Sequence, residues 1–226
     1  MTGISSDPLG RQDHVTIAYE AATGAQLWLA RLGQTGGARA LTLSPDGARV
    51  YVTGGTGKFQ TVAYDAATGT PVWAAIHGTP GNADLGFSLA ASPDGTRPFV
   101  AGVSNGTPTE HVTLAYDSAH GALLWERRYR GNCCNATPSV KVAPDGAQVF
   151  VAGDTDKVDP AGDYITLAYD AATGATIWSR RYNGPGNQND ATTSLAVAPD
   201  GTRLFVTGQS VGTHGFDYAT IAYQTK

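Results

Sequence analysis

Two cysteines stand side by side in a chain of 226 residues, Cys133 and Cys134 in the stretch RGNCCNATPS. Adjacent thiols can cycle between dithiol and disulfide, hold a soft metal, or simply fill a loop. A disulfide between neighbours forces a distorted or cis peptide at a cost of about 3 kcal/mol, so it does not form without a use. In a reducing compartment two free thiols are the expected state. A second group lies in DTDKVDPAGD, with Asp154, Asp156, Asp159 and Asp163. Clustered carboxylates on a turning loop supply the oxygens Ca²⁺ prefers, although no glycine sits where an EF-hand needs one. A solvated acidic loop is the alternative. His14, His77, His111, His120 and His214 are scattered, without His-x-x-x-His or Cys-x-x-Cys spacing. That argues against zinc. No Walker-type phosphate loop is present.

Other charged residues recur. Asp13, Glu110, Asp163 and Asp217 each precede an aromatic or histidine, and Lys58-Phe59 takes the same place once. In a radial fold they would ring one mouth and could collect a cation or amine. Recurrence in register instead favours strand-start charges that serve the fold. ERRYR (126–130) and SRRY (179–182) put arginines on one strand type. They could meet an acidic partner, but charges blunting an outer strand edge are the expectation.

The elements that must position these residues are written in repeats. TIAYEAATGAQLW (16–28), TVAYDAATGTPVW (61–73), TLAYDSAHGALLW (113–125) and TLAYDAATGATIW (166–178) are copies, and TIAYQTK (220–226) is a fifth, partial one. Between them run LTLSPDGARVYVTG, LAASPDGTRPFVAG, VKVAPDGAQVFVAG and LAVAPDGTRLFVTG. Each period holds four runs rich in Val, Ile, Tyr, Phe and Trp, as half-buried strands prefer. Pro-Asp-Gly closes one hairpin and Ala-Ala-Thr-Gly the next. The spacing predicts an all-β protein, a β-propeller of four-stranded antiparallel blades with about four repeats plus a partial one. Strands a to d run from axis to rim, in the order c, d, then three sets of a–b–c–d, then a, b, c. Residues 1–13 read as an N-terminal tail and 14–226 as a single repeat domain. Two readings of the ring stand: a small closed ring, or an arc of a larger propeller.

Composition agrees. Charged residues make up 15% of the chain, glycine numbers 29, the formal net charge is −4 and the pI about 5.6. No basic field exists to hold nucleic acid, and no apolar run approaches the length of a membrane span. The first residues lack the apolar core of a signal peptide. The expectation is a cytoplasmic protein, or an exported one if the chain is a piece of something longer.

AYDAATGATIW carries the Ala-x-Asp-x-x-x-Gly-x-x-x-Trp pattern and resembles the quinoprotein-like (PQQ-type) propeller repeats. The resemblance implies that Trp28, Trp73, Trp125 and Trp178 dock on glycine turns of neighbouring blades, with Gly24, Gly69, Gly121 and Gly174 as those glycines. Asp65, Asp117 and Asp170 would be the turn acids. In the resembling enzymes PQQ lies on the axis above Ca²⁺, with a disulfide of adjacent cysteines against it. NCCN looks like that feature. Yet all four tryptophans are taken by docking, and no Glu/Asn/Asp calcium set can be matched.

With both hairpin turns on one face, the longer d–a and b–c connections share the other. They differ from blade to blade, and variable loops on a rigid scaffold are where binding residues lie. Asn132, Cys133, Cys134, Asn187, Asp190, His214 and Asp217 are the candidates there. The expected function is a non-catalytic scaffold binding a protein or small ligand on this face. The partner would be another protein or a second copy, with no cofactor expected. The alternatives are a PQQ/Ca²⁺ dehydrogenase fragment or relative, and a lactonase-like metal hydrolase with strand-start acids at its metal.

Overall fold

The computed structural model describes residues 1–6, 8–10, 12–33, 36–130, 138–155, 162–212 and 215–225. It is all-β, with eighteen strands in five antiparallel sheets. Blade 1 holds β1 (Thr2–Ser6), β2 (Gln12–Tyr19) and β3 (Gln26–Leu32). Blade 2 holds β4 (Ala38–Leu43), β5 (Arg49–Gly54), β6 (Phe59–Asp65) and β7 (Pro71–His77). Blade 3 holds β8 (Ala83–Ala91), β9 (Pro98–Asn105), β10 (Glu110–Tyr116) and β11 (Leu123–Tyr129). Blade 4 holds β12 (Ser139–Val142), β13 (Gln148–Asp154), β14 (Tyr164–Asp170) and β15 (Thr176–Tyr182). Blade 5 holds β16 (Ala191–Val197), β17 (Arg203–Gly212) and β18 (Gly215–Gln224). Among the described residues no helix is long and apolar enough to cross a membrane.

The repeat reading places every strand from β2 onward. It misses β1. The expected tail, residues 1–13, contains this strand, which pairs antiparallel with β2 from Thr2↔Thr16 to Ser6↔Gln12. TGISS has only one large apolar residue, so pattern alone does not mark it. In register β1 is strand b of blade 1. The end sheets are therefore b–c–d and a–b–c.

Successive blades pack in the order 1–2–3–4–5 through β4, β8, β12 and β16, and blade 5 makes no comparable packing with blade 1 among the described residues. β18 pairs with β17 on one side, and its ring-bearing Phe216 and Tyr218 are exposed.

What joins the blades is the repeated tryptophan. Trp28 Nε1–H donates to Ala66 O at 2.9 Å, Trp73 to Ser118 O at 2.9 Å and Trp125 to Ala171 O at 3.1 Å. Each acceptor lies in the c–d turn of the next blade. The turn glycine must be glycine for two reasons. Gly121 has φ of +72°, and a Cβ there would stand 2.5 Å from the Trp73 ring. Gly69 and Gly174 meet Trp28 and Trp125 in the same way, each at 2.6 Å. Gly24, in the first blade, faces no atom within 4 Å. The turn acid is explained too. Asp65 Oδ1 accepts from the N–H groups of Ala67 and Thr68 and from the Thr68 hydroxyl, at 2.8–3.1 Å. Asp170 does the same, and His120 Nδ1 replaces the threonine hydroxyl at Asp117. These hydrogen bonds, chiefly from the Thr68 and Thr173 side chains, hold Asp65 and Asp170 below the usual carboxylate range.

Two further repeats emerge only in three dimensions. A bulge precedes each tryptophan, so that Leu27, Val72, Leu124 and Ile177 drop out of register and turn to solvent. This lets the indole swing onto the neighbouring blade. The ring at the second position of strand c fills space above a glycine of the next blade's strand b. Phe59 covers Gly102, His111 covers Gly153 and Tyr164 covers Gly208. His14 holds the corresponding place in β2.

Candidate functional site

The loop face holds most of the chemistry-bearing candidates, and the structure uses many of them inside the fold. Asp190 ends the d–a connection into β16 and is 1% exposed. Its Oδ2 accepts from Gly184 N at 2.5 Å and its Oδ1 from Val211 N at 3.1 Å. It clamps the loop on which it lies. Asp84 is its counterpart two junctions earlier, accepting from Thr79 N at 2.6 Å. The signal for Asp84 was visible as GNAD beside GNQND, but it lies inside loops that otherwise differ.

The strand-start acids do not ring an open mouth. Glu110 is buried and paired with Arg128 at 2.9 Å and Arg130 at 2.7 Å. Burial pushes its carboxyl up, but the two guanidiniums outweigh this and hold it below its ordinary value. Asp163 is 2% exposed and paired through Oδ2 with Arg181 Nε. Burial raises it, Arg181 opposes, and the charge of Asp190 adds to the rise. Asp217 is exposed on β18, its carboxylate accepting from Tyr218 N at 2.8 Å. The fold-serving reading of these acids therefore holds for Glu110 and Asp163.

The arginines of ERRYR and SRRY are corrected by the same contacts. They do not simply blunt an edge. Arg127 reaches the next blade's turn, at Gly174 O (2.6 Å) and Thr173 O (2.9 Å). Arg128 and Arg181 neutralise strand c of their own blades, and Arg180 lies over the Trp178 ring at 5.8 Å.

Of the proposed calcium loop, Asp154 and Asp163 are buried across the β13–β14 pair, in register Asp154↔Tyr164. Asp156 and Asp159 lie outside the described residues, as do Asn132, Cys133, Cys134 and His214. Among the described residues no three His, Cys, Asp or Glu side chains converge as a metal group. Asn187 is exposed, has φ of +47°, and its Oδ1 accepts from Asn183 Nδ2 at 2.5 Å. Its left-handed backbone makes it a turn residue.

Gly-x-Ser-x-Gly strings occur at 102–106 and 208–212. A nucleophile elbow needs a strand-to-helix turn that exposes the serine. Here Ser104 lies in β9 and Ser210 in β17, both buried. Neither is an elbow.

His14 is fully buried, and neither ring nitrogen has a hydrogen-bond partner among the described residues. Burial pushes its pKa down to about 4. His111, equally buried, is lowered mainly by burial, although its Nε2 contacts Asp154 O at 2.7 Å. Both imidazoles serve as neutral packing rings.

On the opposite side of blade 5, Trp178 rests against Tyr223, ring centroids 5.9 Å apart. Trp178, Arg180, Ala222, Tyr223 and Gln224 line a shallow groove of about 340 Å³.

Residues 11–102 and 58–220 match the PQQ-type repeat family described as "Outer membrane protein assembly factor BamB". The chain belongs to this family. No curated protein matches it. Among solved structures this BamB-type propeller is similar to hydrazine synthase of Kuenenia stuttgartiensis, at 17% identity and TM-score 0.69, covering 99% of this chain and 62% of that one. It is similar to BamB of Moraxella catarrhalis, at 18% identity and TM-score 0.55, covering 98% and 57%. It is also similar to quinohemoprotein alcohol dehydrogenase of Comamonas testosteroni, at 14% identity and TM-score 0.53, covering 98% and 41%. At such identities the likeness is one of fold. The BamB-type chain spans about three fifths of the length of the first two.

Proposed function

We propose that this BamB-type propeller is a non-catalytic scaffold that binds a protein or small ligand on the face carrying the d–a and b–c connections. One observation carries the reading. The side chains suited to chemistry on that face, Asp84, Glu110, Asp163 and Asp190, are buried in loop clamps and ion pairs. Among the described residues, what these connections offer a visitor is loop backbone, Asn187 and the exposed Arg130 and Asp217, on connections that vary over rigid blades. The family's description as an assembly factor supports a protein, or a second copy of the chain, as the partner.

The second reading is a relative of the PQQ enzymes, favoured by the shared fold of the alcohol dehydrogenase. The described residues do not fit that cofactor well. Trp28, Trp73 and Trp125 each lie against a glycine turn, and Trp178 is held between Tyr223 and Arg180. No indole is left to stack on a quinone.

The test is partner capture with cross-linking. Partners should be retained by the wild-type chain and by a turn-face variant such as Asp46→Asn, with cross-links on the connections. Replacing residues 185–188 with a neutral Gly/Ser linker should abolish capture while the circular dichroism spectrum stays native. Equal capture by the linker variant, with cross-links confined to the turn face, would overturn the assignment.

A further inference from the structure

Every internal junction joins two unlike faces. A blade offers its successor a ring at the second position of strand c, an aromatic in strand b and a threonine of strand c. In blade 4 these are Tyr164, Phe150 and Thr166, all buried. The successor receives them with a glycine of strand b and a tyrosine near the end of strand c. In blade 5 these are Gly208, which Tyr164 covers, and Tyr223, whose phenol lies against Thr166. Tyr116 meets Thr61 and Tyr169 meets Thr113 in the same way.

One ring face and one glycine face stay open, at opposite ends of the blade series. Blade 5 presents the ring face. The pairs Gln209↔Tyr218 and Phe205↔Ala222 repeat Asp154↔Tyr164 and Phe150↔Ala168, so Tyr218 and Phe205 hold the places of Tyr164 and Phe150. Tyr218 is 80% and Phe205 37% exposed, whereas Tyr164 and Phe150 are fully buried. Phe216, on the same side of β18 as Tyr218, is exposed too, and so is Thr220. Blade 1 presents the glycine face. Gly3↔Val15 repeats Gly102↔Val112, so Gly3 holds the place of Gly102, which Phe59 covers. A Cβ on Gly3 would meet nothing within 4 Å. Tyr19, the counterpart of Tyr116 and Tyr223, is 43% exposed.

We propose that the ring face of blade 5 packs on the glycine face of blade 1 in a second copy of the chain, with Tyr218 over Gly3 and Thr220 against Tyr19. The two faces are the two halves of the contact that already joins the blades, so the joint continues the interblade packing from one molecule into the next. Within one molecule they do not meet, because Tyr218 stays exposed and Gly3 uncovered. Burial of the three rings Phe205, Phe216 and Tyr218 drives the association. The contact is heterologous and leaves each copy one further face to offer, so assembly grows with concentration. Among the described residues blade 5 has no strand d, and Gly24 receives no indole. The joint is therefore weaker than an internal junction, and reversible. It uses the ends of the blade series and stands whether or not the loop face binds a partner.

Two substitutions block opposite faces and spare the fold. Gly3→Val fills the place of the incoming ring, at a residue whose backbone is not left-handed and whose Cβ has open space. Tyr218→Ser removes an exposed ring. Both variants should keep the wild-type circular dichroism spectrum and melting temperature. In sedimentation equilibrium the wild-type chain should gain mass as concentration rises, and each variant alone should associate at least tenfold more weakly. An equimolar mixture of the two should recover a one-to-one dimer of wild-type affinity and nothing larger, since the ring face of Gly3→Val meets the glycine face of Tyr218→Ser. A wild-type chain that keeps the mass of one copy up to about 0.5 mM would overturn the proposal. So would a mixture that associates no better than its components, since the contact would then join two like faces or other surfaces.

Discussion

Alanine at Gly24 and at Gly121 should have different consequences, although the two glycines share one backbone conformation. Both have φ of +72°. An L-residue in this left-handed region costs about 1 kcal/mol, and that strain is common to both variants. At Gly24 nothing else is added, because no atom lies within 4 Å of the new Cβ. At Gly121 the Cβ would stand 2.5 Å from the Trp73 ring. That ring has little room to retreat. Its Nε1 is bonded to Ser118 O at 2.9 Å, and it lies between Tyr51 and Tyr116 at centroid distances of 5.9 and 6.2 Å. Overpacking of this kind costs about 2 kcal/mol, and a lost indole hydrogen bond about 1 kcal/mol more. Gly121→Ala should therefore lose about 4 kcal/mol and Gly24→Ala about 1 kcal/mol. Urea unfolding followed by far-ultraviolet circular dichroism, with slopes held equal, measures both. Equal losses would refute the idea that the glycine turn is an interblade contact, leaving backbone strain as its whole meaning.

His14→Phe should stabilise the chain, since Phe59 shows that a benzene ring fits this repeat position. The folded pKa of His14 is lowered from 6.5 to about 4. The unfolded chain therefore binds a proton first as pH falls, and stability is lost between pH 6.5 and 4, by no more than about 3 kcal/mol. The variant should lack that acid-side loss in melting temperatures taken across this window, and an unchanged slope would contradict the assignment. Arg128→Ala should cost about 2 kcal/mol at pH 7 by leaving buried Glu110 with one exposed guanidinium. The cost should shrink as pH falls through the lowered pKa of Glu110, where the protonated acid needs no cation, and urea midpoints taken in steps downward from pH 7 would show it.

The propeller was legible because each blade repeats its turns and its tryptophan in register, and those residues answer to packing every blade needs. β1 was not legible, since Gly3, Ser5 and Ser6 carry little strand signal and the strand exists through its pairing with β2. The interblade glycines Gly102, Gly153 and Gly208 stood in plain view in the V-A-G and V-T-G endings. Their meaning depends on a ring from another blade, which no local pattern reveals. The acids and arginines were visible as recurring charges, but cross-strand pairing decided their roles. Glu110 meets Arg128, and Arg127 leaves for the turn of blade 4. The candidate site was less legible than the fold for the same reason. Asp190 resembles a loop carboxylate free for binding until the backbone N–H groups of Gly184 and Val211 are seen to occupy it.

The central claim is a scaffold whose recognition face works without quinone chemistry. Titration of the purified chain with PQQ in saturating Ca²⁺, followed by visible absorption, tests it most directly. The account predicts the spectrum of free PQQ at every ratio. A saturable shift reaching its end point at one PQQ per chain would contradict it.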